Sequence, residues 1–152
     1  MKDVSGSALE RFARQAQKLA GVQGEVAVLI TDSPRIQELN RRFRRKNKPT
    51  DVLSFAREDG GDIAICAPIA LANARDHGLT AAQELKLLVL HGMLHLAGYD
   101  HETDSGQMAK KEALLRTRLK LPSSLIQRTL SGAKQASTGR SKRANRARRS
   151  RP

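Results

Sequence analysis

The chain has 152 residues and a formal net charge of +13, a length that fits one domain. No run approaches the roughly 18 apolar residues of a membrane span, no N-terminal apolar segment reads as a secretion signal, and the lone Cys66 excludes an internal disulfide. A cytoplasmic protein is expected, with no membrane partner, and the charge points to a polyanion such as nucleic acid.

Leu9, Phe12, Ala13, Ala16 and Leu19 recur at helical spacing and predict an amphipathic helix over 7–20. Gly21 and Gly24 end it. Val26, Val28 and Ile30, alternating with Ala27 and Leu29, read as a largely buried strand over 25–31. Asp32, Ser33 and Pro34 open the next helix with a capping side chain and an early Pro. Ile36, Leu39, Asn40 and Phe43 share one face of it. Its end carries Arg41, Arg42, Arg44, Arg45, Lys46 and Lys48 without an acid, and Pro49 breaks it.

Val52 to Phe55 and Asp62 to Cys66 read as strands about a turn at Asp59, Gly60 and Gly61, and are expected to pair as a hairpin. A short helix follows over 68–76. Thr80 caps a long one over 81–97, with Leu85, Leu88 and Gly92 inward and Gly98 as terminator. A last helix spans about 105–119, using Met108, Leu115 and Leu119. The result is an α+β domain, helices packed on a small mixed sheet, over residues 1–130. Residues 131–152 hold Lys134, Arg140, Lys142, Arg143, Arg146, Arg148, Arg149 and Arg151 with no acid. That segment has almost nothing to bury and is expected to be a disordered basic tail.

Three of the four histidines fall in eleven residues: His91, His95 and His101. Positions four apart lie on one face of a helix, so His91 and His95 can reach one ion. Gly98 allows the chain to reverse and return His101 to it. Three neutral nitrogens favour one Zn2+ ion. A structural zinc normally takes four protein ligands, whereas a catalytic zinc keeps one position open. His77 and Cys66 do not offer an obvious fourth. Asp100 and Glu102 flank His101 and are expected to orient the imidazoles. The spacing H-x-x-x-H-x-x-G-x-x-H is also that of metzincin proteases, in which Glu follows the first His. Here Gly92 stands there, which argues against a protease. The arginines after Asn40 suit phosphate.

Three blocks, LNRRFRRKNKPTDVLSF, GDIAIC and HGMLHLAGYDH, resemble those of the YbeY family of bacterial endoribonucleases, and the likeness covers about residues 24–116. The resemblance implies that His91, His95 and His101 are zinc ligands and Arg44 a catalytic, phosphate-facing residue. It implies a single-strand-specific endoribonuclease acting on the 3′ end of small-subunit ribosomal RNA, in ribosome maturation and quality control. The partners implied are single-stranded ribosomal RNA and the small ribosomal subunit, with no DNA. Phe43 stands where the family usually has Tyr, Ala56 where Pro is common, and Ala97 where Leu is usual. Asp51 and Asp100 are candidate bases. The alternative is a non-catalytic ribosome-assembly factor with a structural zinc.

Overall fold

The computed structural model describes residues 6–122. Residues 123–152, and with them the expected tail, lie outside the described residues. In chain order the elements are α1 (Gly6–Ala20), β1 (Glu25–Thr31), α2 (Ser33–Arg44), β2 (Val52–Arg57), β3 (Gly60–Cys66), α3 (Ala67–Asp76), α4 (Ala81–Leu96) and α5 (Gln107–Arg118). None of these helices is long and apolar enough to cross a membrane.

The sheet is mixed, in the order β1-β3-β2. β1 runs parallel to β3, and β2 pairs antiparallel with β3 as the expected hairpin. The turn sits one or two residues earlier than the sequence suggested, at Glu58 and Asp59, and both glycines belong to β3. β1 is an edge strand. Leu29 and Ile30 are 47% and 42% exposed, so the expectation of a largely buried strand fails. Five apolar residues in a row look buried on both faces, but nothing in that run reveals that the strand lies at the rim of the sheet.

The period of two along the strands divides the core. Val52, Ile63 and Ile65 point to the side where α1, α4 and α5 lie. Leu53, Ala64 and Cys66 point to the other, against Ile36 of α2. α4 is the central helix. Leu85, Leu87, Leu88, Val89, Leu90, Met93 and Leu94 are all essentially inaccessible, and burying each such side chain stabilises by about 1.5–3 kcal/mol. Thr80 and Gln83 close a reciprocal capping box at its start.

Two glycines set the close approaches. Gly92 of α4 faces the sheet, where an added Cβ would stand 3.0 Å from both the Ile63 side chain and Ser54 Oγ. At Gly60 (φ +144°) a Cβ would lie 1.8 Å from the Glu25 carbonyl oxygen. Gly60→Ala is therefore expected to cost roughly 3 kcal/mol or more, from backbone collision and a conformation only glycine takes readily. Urea denaturation checks this; an unchanged midpoint would mean that the β1–β3 pairing shifts freely.

Candidate metal centre

The last turn of α4 carries His91 and His95. Gly98, at φ +100°, reverses the chain, and a turn over 101–106 follows. His101 is the first residue of that turn, and the three histidines form a group able to hold a metal ion. Their ligand atoms all lie within 4.8 Å of one another, near enough for one ion after a small ring adjustment. His91 is 1% exposed, and its ring meets those of His95 and His101 with centroids 4.8 and 5.3 Å apart.

The protons on two of these rings can be placed. His95 Nδ1 lies 3.0 Å from the Tyr99 carbonyl oxygen. A carbonyl only accepts, so Nδ1–H donates and Nε2 keeps its lone pair. His91 Nδ1 lies 3.4 Å from Glu112 Oε2, which leaves Nε2 of that ring as the donor atom for a metal. The two Nε2 atoms face each other at 3.2 Å. Two facing lone pairs repel unless a cation stands between them. Tetrahedral bonds of about 2.0–2.1 Å would separate two ligand nitrogens by about 3.3 Å, so the pair fits a zinc-sized ion.

Protonation of His95 is disfavoured. Its pKa is held below the ordinary 6.5, chiefly by burial and next by the nearby charge of His101, with Arg44 adding to the same direction. The Tyr99 carbonyl and the Asp100 carboxylate act the other way. The neutral ring, the form that binds metal, is thus favoured near neutral pH. Arg44 thus acts on His95 through its charge.

Arg44 is the last residue of α2, and β2 links the two helices. Ser54 Oγ donates to the Gly92 carbonyl of α4 at 3.2 Å. The next residue, Phe55, turns to the opposite face and meets Phe43 of α2 with ring centroids 5.1 Å apart. Beyond Arg44, Arg45 takes a left-handed conformation and its N–H bonds the Asn40 carbonyl. The buried Asn40 side chain also donates to the Lys48 carbonyl at 2.9 Å. Asn40, read from the sequence only as part of a helix face, pins the basic loop that follows Arg44.

The other candidates take the following places. The partners on His91 and His95 are Glu112 and Tyr99. Asp100 Oδ1 instead accepts the Glu102 N–H at 3.1 Å and acts on His95 through its charge. Asp51 is buried beside Thr50 and Asn73 and does not join the histidines. His77 is exposed and caps α3, and Cys66 is buried against Ser33 Oγ. Among the described residues no fourth His, Cys, Asp or Glu joins the three histidines. Glu112 was missed, although the signal was present: Met108, Glu112 and Leu115 lie on one face of α5 and all three are buried, an acid inside an apolar stripe. Asp104 accepts the N–H groups of Gly106 and Met108. Those bonds, and next to them the charge of His101, lower its pKa and fasten the His101 turn to α5.

The sequence profile described as Endoribonuclease YbeY matches residues 1–120. The chain belongs to this family. Endoribonuclease YbeY of Koribacter versatilis is 55% identical over 136 residues, covering 88% of this chain and 90% of the relative. That of Solibacter usitatus is 47% identical over 126 residues, covering 82% and 86%. The solution structure of TM1509 from Thermotoga maritima superposes with a TM-score of 0.55 at 35% identity, covering 77% of this chain and 85% of that one. The blocks that carry the YbeY resemblance contain Arg44, Ser54, Gly92 and the three histidines.

Glu112→Gln keeps the size of the side chain but removes the carboxylate. It is expected to lower zinc affinity about 10- to 100-fold with the helical circular dichroism retained. Competition against a chromophoric chelator measures it; unchanged affinity would mean that Glu112 does not orient His91.

Proposed function

We propose that the chain is a single-strand-specific, zinc-dependent endoribonuclease that matures the 3′ end of small-subunit ribosomal RNA in the cytoplasm. The observation that carries this reading is the three-histidine group, with Arg44 acting on His95 through its charge, in a chain of the YbeY family. One ion on His91, His95 and His101, zinc by the preference of neutral nitrogens, supplies a Lewis acid and an activated water when bound.

The chain's own residues do the rest. Glu112 and the Tyr99 carbonyl hold two rings in the tautomer that presents Nε2. Arg44, exposed and without an ion pair among the described residues, binds the scissile phosphate and stabilises the charge that grows on its oxygens. Arg42, Arg45 and Lys46 hold neighbouring phosphates of a single strand, and binding to the small ribosomal subunit follows from the same surface. A structural zinc in an assembly factor calls for a fourth protein ligand, and the three-histidine group supports the catalytic reading instead.

Cleavage of a labelled single-stranded ribosomal RNA fragment tests the proposal. His95→Ala and chelator treatment are expected to abolish cleavage. Arg44→Ala is expected to retain zinc and lose about 10²–10³-fold in kcat. RNA that is bound but never cut by the zinc-loaded chain would return the assembly-factor reading, and full activity in Arg44→Ala would remove its role.

Residues 1–130 form the catalytic domain in this reading, and residues 131–152 add non-specific affinity for RNA. Deleting 131–152 should flatten the salt dependence of RNA binding. For a single strand the log–log slope falls by about 0.7 for each phosphate the shortened chain no longer neutralises. An unchanged slope counts against that role.

A further inference from the structure

Among the described residues four large apolar side chains are exposed: Leu29, Ile30, Phe43 and Leu114. Phe43 differs from the others in its surroundings. It lies within the run Arg41, Arg42, Arg44, Arg45 and Lys46, and the residue is 57% exposed. A Phe that served only to seal Phe55 would be covered by its neighbours. This one rests an edge on Phe55 at 57° between ring planes and leaves much of its surface open. The Arg42 guanidinium sits over the ring, 5.4 Å from its centroid, so the ring surface already receives a flat, cationic partner. Arg41 is occupied by Glu38 at 2.6 Å. Arg42 and Arg44 have no ion pair among the described residues.

An exposed aromatic ring among unpaired arginines is the combination by which single-stranded nucleic acid is held: cations follow the phosphates while a base stacks on the ring. Duplex RNA keeps its bases inside and cannot use such a ring. Phe43 and Arg44 are consecutive, with Cα atoms about 3.8 Å apart, and project about 100° apart around the helix. A strand whose phosphate meets Arg44 can thus place the base of the same or the adjoining nucleotide over Phe43.

We propose that Phe43 is a stacking platform for one nucleobase beside the scissile phosphate, which makes this site choose single strands. The proposal rests on the endoribonuclease reading above and deepens it. Stacking is indifferent to base identity, so Phe43 selects strandedness and register and leaves sequence to other contacts.

The chain has no Trp, so Phe43→Trp introduces a lone indole that reports on this position. In full-length protein its fluorescence is expected to be quenched within the mixing time by a short single-stranded oligoribonucleotide. A fully abasic oligomer of the same length and charge should leave it unquenched, as should duplex RNA. Phe43→Ala should weaken binding of the single strand about 10-fold and leave binding of the abasic oligomer unchanged. Phe43→Leu still covers Phe55 but cannot stack, and should behave like Phe43→Ala. Binding of the natural strand without quenching overturns the proposal. So does equal weakening of both oligomers in Phe43→Ala, or full affinity in Phe43→Leu. A wild-type chain that neither binds nor cuts single-stranded RNA would instead sink the endoribonuclease reading itself.

Discussion

The packing of α4 against the sheet is the constraint on which the rest depends. This helix is apolar around nearly its whole circumference, the pattern of a helix meant to be surrounded. Its approach to the sheet is set where Gly92 lies over Ile63 and Ser54. A side chain there would hold the helix away from β2 and β3. Seating the helix this closely fixes its rotation, and the rotation decides where His91 and His95 reach: His91 to Glu112 of α5 and His95 to the reversing loop. Burying imidazoles at this depth is unfavourable unless their polar atoms are matched. Glu112 and the Tyr99 carbonyl match one nitrogen of each ring, which leaves the other two facing each other across a gap that suits a cation.

The second half of the site reaches the histidines through a single strand. Consecutive residues of β2 alternate between faces, so Ser54 bonds α4 while Phe55 meets α2. Helices on opposite sides of the sheet are thereby tied to neighbouring positions of one edge strand. Cationic side chains at a helix C-terminus are favoured by the helix dipole, so the arginines that close α2 sit where local electrostatics already favour them. Asn40 then holds the loop beyond Arg44 through the backbone of Arg45 and Lys48. A polar residue on an otherwise apolar helix face is tolerated because its amide satisfies a carbonyl that would otherwise lack a partner.

What could be read from the sequence was what is local. Helical periodicity, the caps at Asp32 and Thr80, the hairpin and the H-x-x-x-H spacing each follow from residues close together in the chain, and all of them appear in the structure. What could not be read depends on which elements become neighbours. β1 has the composition of a buried strand, but its burial depends on its position in the sheet order, and it lies at an edge. Phe43 has helical spacing with Ile36 and Asn40, yet α2 ends one residue later and the residue is left 57% exposed. Glu112 lies eleven residues beyond the last histidine on a different helix. Asp100 and Glu102 are nearer in sequence and therefore looked like better partners for the rings. Sequence proximity misled there because the reversal at Gly98 sends α5 back alongside α4.

The same rotation of α4 separates this site from a protease with the same histidine spacing. A Glu after the first histidine serves a metalloprotease as general base. Here that position packs closely on the sheet, where even an added Cβ would stand 3.0 Å from Ile63 and Ser54, so a carboxylate would be crowded and desolvated at a cost of several kcal/mol. Position 92 of α4 has no room for a base, and the charge of Arg44, at the end of α2, acts on His95. The exchange of charge suits a different substrate. Hydrolysis of either a peptide bond or a phosphodiester takes a proton from the attacking water, which a bound metal ion would help to release. A phosphodiester is in addition an anion that gains negative charge as it is attacked, and a guanidinium favours both its binding and that developing charge. The selection of substrate class therefore begins with the steric demand of one helix packing on one sheet.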